Sequence, residues 1–134
     1  MQTSVSLTFK ENCNCQTFRS DGVLLSVDPA TAAGADRGHS PLELLALAHG
    51  TCIAMMMGKA GKTLGLNLAE MQVEVVHEYR PGPPMLLEMA HLRFHLPCSA
   101  SLEQVEQLRK GASLCPVHSA LRNDISVTLE VILP

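Results

Sequence analysis

Residues 40–62 read SPLELLALAHGTCIAMMMGKAGK. Ser40 can cap a helix, Pro41 suits the first helical position, and Glu43 completes a capping box. The spacing predicts a helix from Pro41 to about Lys62, with Gly58 and Gly61 weakening its end. It is apolar nearly all round, through Leu42, Leu44, Leu45, Leu47, Ile53 and the run Met55, Met56, Met57. Such a helix has to be buried on every side. One chain of 134 residues and 14.4 kDa has little material to surround it. Dimerisation through this helix, with a second copy of the chain as partner, is the economical expectation. Glu43, His49 and Thr51 interrupt residues 42–57, which read as too short and too polar for a membrane span. No membrane partner is expected.

Upstream, residues 4–9 alternate Val5, Leu7 and Phe9 against Ser4, Ser6 and Thr8, the pattern of a half-buried strand. Residues 16–19 and 23–27 read as two more strands, with Asp21 and Gly22 as a hairpin signal between them. Residues 28–39, rich in Pro, Ala, Gly and Asp, read as a loop. Downstream, residues 69–79 and 86–96 read as two long strands joined by Arg80-Pro81-Gly82-Pro83-Pro84. Residues 101–113 form an amphipathic helix pattern. Pro116 restarts a short helix after Cys115, and residues 124–133 alternate as a final strand. Strands without regular βα alternation imply an α+β class and one domain over residues 1–134.

Composition narrows the function. Hydrophobic residues make up 46% and charged residues 17%, which argues against disorder. A net charge of −3 offers no basic excess for a phosphate backbone. Aromatics are 3% with no Trp, so base-stacking platforms are scarce too. Nucleic acid is not an expected partner. No P-loop, GxGxxG, HExxH or GxSxG is present, and no cofactor is expected.

Cysteine is the informative residue. There are five, Cys13, Cys15, Cys52, Cys98 and Cys115, so at least one thiol is unpaired. The chain opens with no apolar signal-peptide core, and a cytoplasmic location is expected. Cys52 lies inside the apolar helix, three residues after His49, and reads either as an inert small core residue or as a reactive thiol. Cys115 stands where a helix begins, and the helix dipole favours a thiolate there. It is a nucleophile candidate, or else a residue that only caps a turn. His118, one turn further, could tune it, although on spacing alone it reads as a surface histidine. Cys13 and Cys15 offer two ligands where zinc needs four positions filled. His91 and His95 share a strand face with Cys98 close behind, and no metal site is assigned to them.

Three features together resemble the OsmC/Ohr family, the osmotically inducible protein C and organic hydroperoxide resistance proteins. They are Gly38-His39-Ser40-Pro41-Leu42-Glu43-Leu44-Leu45 leading through Ala48-His49-Gly50-Thr51 to Cys52, the Cys115-Pro116-Val117 motif, and the order of elements around them. The resemblance implies an OsmC-like fold, with curved antiparallel sheets around a long buried central helix, as an intertwined homodimer. It implies a thiol peroxidase that reduces organic hydroperoxides, an antioxidant role under oxidative stress. Cys52 would be the peroxidatic thiolate, Cys115 the resolving thiol and an external dithiol the reductant. The family holds its thiolate with a Glu and an Arg. Here the acid stands at Glu43, one place later than usual, with Leu42 in its place. Arg37 is the candidate cation before the helix, and the first hairpin has Cys13, Asn14 and Cys15 where the Ohr branch carries its Arg. The alternative function is an OsmC-like dimer without efficient peroxidase activity, binding a small ligand or sensing redox state.

Overall fold

Helix initiation follows the sequence. In the computed structural model, which describes residues 2–3, 5–9, 15–18, 24–27, 38–121 and 125–134, the long helix α1 spans Pro41–Thr63. The strands before it are β1 (Ser6–Phe9), β2 (Cys15–Phe18) and β3 (Leu24–Val27). After it come β4 (Gln72–Arg80), β5 (Leu86–His95), α2 (Leu102–Ala112), α3 (Pro116–Leu121) and β6 (Ser126–Ile132). The class is α+β. The chain divides into two compact units, Met1–Leu45 and Ala46–Pro134.

In the first unit, β1, β2 and β3 form an antiparallel sheet in chain order, with Cys15 opposite Phe9 and Val27 in backbone register. The same unit holds the start of α1. The Glu43 N–H donates to Ser40 Oγ at 3.2 Å, and the Ser40 N–H donates to Glu43 Oε2 at 3.0 Å, closing the capping box. Cys13 and Arg37 lie outside the described residues.

The second unit is built on a sheet of order β4-β5-β6. β4 and β5 form an antiparallel hairpin with a register shift between Glu78 and Tyr79. β6 runs parallel to β5, with Ala90 opposite Val127 and Phe94 opposite Val131. This corrects the expectation of purely antiparallel sheets. The helical connection through α2 and α3 returns the chain to the end where β5 began, so β6 enters in the same direction.

The sheet's period of two meets the helix period. β5 buries Ala90, Leu92 and Phe94, and Leu96 follows beyond its end. α1 buries His49, Ile53, Met57 and Gly61, a stripe at intervals of four. Leu108 and Ala112 of α2 and Cys115 complete the core. α1 comes close to β4 because residue 50 has no side chain: a Cβ there would sit 2.5 Å from Val75 Cγ2. Outside its stripe α1 also carries exposed apolar side chains. Met55 is 70% exposed and Leu47 44%. Continuous from Pro41 to Thr63, α1 is long and apolar enough by length and composition to cross a membrane. The reading of residues 42–57 as too short for that was made on a shorter run. In this fold the same helix carries a buried histidine and the core stripe.

Candidate active site

Cys52 and Cys115 meet in the second unit. α1 brings Cys52 to the core edge, half-buried, one residue before the buried Ile53. Cys115 follows the last turn of α2, held by its N–H donating to the Ala112 carbonyl at 3.1 Å, and is fully buried. The two side chains are hydrogen-bonded to each other, and both are free thiols. The N–H of His118, in the first turn of α3, donates to Cys115 Sγ at 3.3 Å.

The electrostatics divide the roles. Cys115 is shifted above the usual thiol range, first by burial and then by its hydrogen bond to Cys52. The amides of His118 and Val117 pull the other way without prevailing. The sequence pointed to a thiolate favoured by the helix start at Cys115. The amides do face the sulfur, but burial outweighs them, so Cys115 keeps its proton. Of the two sulfurs, the half-buried Cys52 is the one a solute can reach.

Beside the thiols stands a histidine cluster. His49 Nδ1 is 3.0 Å from His77 Nε2, and His49 Nε2 is 3.2 Å from His118 Nδ1. His49 and His118 stack with ring centres 5.4 Å apart, and His77 tilts against His49 at 5.3 Å. Burial, followed by the charges of His77 and His118, lowers His49 to about 4. His77 is lowered by burial as well. Tyr79 sits edge-on to His77 at 6.4 Å, and burial raises its phenol. Among the described residues, neither His77 Nδ1 nor the Tyr79 hydroxyl has a hydrogen-bond partner.

His77 was missed in the sequence, although a signal was there. Val73, Val75, His77 and Tyr79 share the inward parity of β4, so a histidine and a tyrosine occupy positions that otherwise hold valine. His118, read as a surface residue, is half-buried because α3 turns it onto His49. Glu43 is in the first unit and exposed. Its carboxylate takes the Ser40 N–H and lies 3.1 Å from His39 Nδ1, and both contacts, the Ser40 amide first, hold it below the usual carboxylate range. Cys98 is half-buried and packs on the core. Cys15 lies in β2.

His91 and His95 face away from the thiols, on the outer side of the sheet. His91 reaches Glu78 at 3.1 Å and Thr128 Oγ1 at 2.7 Å, and His95 lies 3.7 Å from Glu74. Among the described residues no group of three or more His, Cys, Asp or Glu side chains could hold a metal ion.

Comparison with known proteins shows the fold and the family. No curated protein matches the chain. Among solved structures, an OsmC-like protein from Mycoplasma pneumoniae superposes with a TM-score of 0.82 at 15% identity, covering 99% of this chain and 97% of that one. The organic hydroperoxide resistance protein OhrB of Bacillus subtilis gives 0.72 at 18% identity, with 98% of each chain covered. An organic hydroperoxide resistance protein from Elizabethkingia anophelis gives 0.71 at 20%, covering 100% of this chain and 99% of that one. At such identities the likeness is one of fold. The sequence model of the OsmC-like proteins matches residues 34–130, which hold α1, the hairpin, the crossover helices and both thiols of the pair, and the chain therefore belongs to the OsmC-like protein family.

Proposed function

We propose that the protein is a thiol peroxidase that reduces organic hydroperoxides with Cys52 and Cys115. The carrying observation is the asymmetric thiol pair: a half-buried Cys52 hydrogen-bonded to a fully buried Cys115 that holds its proton. In this reading the Cys52 thiolate attacks the outer oxygen of ROOH, forming a sulfenic acid and releasing ROH once the alkoxide is protonated. Cys115 then attacks the Cys52 sulfur, forming the disulfide and releasing water. An external dithiol returns both cysteines to thiols. Glu43 and Arg37 enter as the expected partners of the thiolate, and the activity belongs to a cytoplasmic homodimer.

The dimer reading rests on α1. Its Met55 and Leu47 are exposed apolar side chains on the helix that carries the site, and a second copy of α1 supplies a matching apolar surface. In the proposed assembly the two chains intertwine, with curved sheets outside and the paired helices between them.

One observation favours the second reading, a dimer that binds a small ligand or senses redox state without efficient turnover. The acid expected to support the thiolate is engaged at the helix cap by Ser40 and His39. Cumene hydroperoxide added to the reduced protein separates the two. Loss of two thiols per chain within seconds, regenerated by a dithiol, is the result expected for the peroxidase. Slow or absent loss leaves the binding or sensing protein.

A further inference from the structure

Cys52 and Cys115 hold their sulfurs in hydrogen-bond contact, and neither is tied into a disulfide. Two soft sulfur donors side by side are also the core of a ligand set, and α1 supplies a third. α1 packs closely on the end of α2 because Gly111 has no side chain. A Cβ there would sit 2.8 Å from Ala60 Cβ and 3.5 Å from the Met56 carbonyl oxygen. From that contact the chain advances four residues to Cys115, while α1 runs back one turn from Met56 to Cys52. Residues four apart share a helix face, so Met56 stands beside Cys52 on the side that meets Cys115. A long side chain on a helix leans toward the preceding turn, which directs the Met56 thioether toward Cys52. Met56 is half-buried and packs on the core cluster that holds Cys115. Its neighbours are placed otherwise: Met55 is exposed, and Met57 belongs to the buried stripe.

We propose that Cys52, Cys115 and Met56 form a binding site for one soft monovalent metal ion, copper(I). The donor set selects the ion. Thiolate and thioether sulfurs prefer soft ions. Zinc needs four positions filled, and among the described residues no group of three or more His, Cys, Asp or Glu side chains could hold it. Copper(I) is satisfied by two or three sulfurs and needs no further ligand. Two sulfurs already in hydrogen-bond contact have only to part slightly to admit an ion between them. Burial favours it as well. Cys115 is fully buried, and Cys52 and Met56 are half-buried, so the ion would be shielded from most water. The His118 N–H, donating to Cys115 Sγ at 3.3 Å, orients that sulfur and takes up part of its negative charge.

Binding is an exchange of protons for the metal. Copper(I) and two thiols become a bis-thiolate copper complex of single negative charge and two released protons, with Met56 as a neutral third donor. No atom changes oxidation state. The site belongs to the reduced chain, because a disulfide between Cys52 and Cys115 removes both thiolates. Copper(I) and a hydroperoxide therefore compete for the same pair of sulfurs. The inference does not depend on peroxide turnover. It needs only the contact of the two thiols and the face that Met56 shares with Cys52.

Anaerobic competition for copper(I) with bathocuproine disulfonate, a chromogenic chelator, tests this. The reference protein is the full chain with Cys13, Cys15 and Cys98 each replaced by Ser, which leaves the proposed pair as its only thiols. Reduced, it should withdraw one copper(I) per chain from the chelator. Adding Cys52→Ser should abolish the withdrawal. Adding Met56→Leu, which nearly conserves volume, should leave the melting temperature in place. Losing a ligand should cost at least as much affinity as losing a ligand's hydrogen-bond partner, about tenfold or more. X-ray absorption at the copper edge should find sulfur neighbours alone, and zinc(II) offered to the reduced reference should stay on its own indicator. If the reference folds poorly, wild type and Cys52→Ser in the wild-type chain are compared instead, and the difference should be one ion per chain. Copper left wholly on the chelator, equal binding in Cys52→Ser, or zinc held as tightly as copper overturns the site. Unchanged affinity in Met56→Leu, or nitrogen neighbours at the ion, overturns the three-sulfur set.

Discussion

His49 and His77 are neutral neighbours across the contact of α1 with β4, Nδ1 of the first lying 3.0 Å from Nε2 of the second. Two charged imidazoles could not share that geometry. Burial keeps protons off both, and His49 sits at about 4.

A pH dependence of stability follows. The unfolded chain protonates His49 near 6.5, the folded chain only near 4. The contribution of neutral His49 is complete above about pH 6.5 and is lost as pH falls toward 4. Urea midpoints should show the protein about 2 kcal/mol less stable at pH 5 than at pH 7 from this residue. The difference should shrink in His49→Gln. Equal midpoints at the two pH values would mean that His49 is hydrated.

Gly50→Ala should be costly for its size. The added methyl would begin 2.5 Å from Val75 Cγ2, forcing α1 away from β4. A loss of about 1–3 kcal/mol is expected from such overpacking. Val75→Ala in the same chain should recover part of it, so the double-mutant cycle should be non-additive. An additive cycle would remove the contact from the account.

Cys115→Ser should stop the peroxide reaction at its first product. With no resolving thiol, Cys52 accumulates as a sulfenic acid that dimedone traps, seen as a mass increase on the peptide carrying residue 52. Wild type should instead give a bridge between Cys52 and Cys115. Cys98→Ser should leave thiol loss unchanged. A disulfide between Cys13 and Cys15 as sole product would count against the assignment.

Met55→Glu should weaken self-association. Light scattering on wild type should give twice the chain mass of 14.4 kDa at micromolar concentration. The variant places a charge where α1 exposes its most accessible methionine and should shift the average toward one chain. A stable wild-type monomer would end the dimer reading.

The elements were legible wherever pattern and punctuation agreed. Ser40, Pro41 and Glu43 marked the start of α1 because a cap is a local event written within four residues. The alternation of Ala90, Leu92 and Phe94 likewise marks the inward face of β5. The direction of β6 was not legible, since a strand's alternation is the same whichever way it runs. The meeting of Cys52 with Cys115 could be suspected only from family resemblance, because nothing in the spacing of two distant residues fixes their contact. The histidine cluster was hidden for the same reason. Its members come from α1, β4 and α3, and each is unremarkable within its own element. Even the proton on Cys115 was misjudged from local signals, since the helix start was visible and the burial was not.

The parallel pairing of β5 with β6 also sets an order of assembly. The hairpin of β4 and β5 is local and can close early, whereas β6 can add only after α2 and α3 have travelled back across the sheet. Cys115 sits at the joint between those two helices. Its sulfur reaches Cys52 only when that late journey is complete, so a half-folded chain holds its thiols apart. Pulse alkylation during refolding should find Cys115 shielded last, after the hairpin amides. The contact between the two thiols thus comes into being only with the finished topology, and a chain that stalls on the way keeps its two sulfurs strangers.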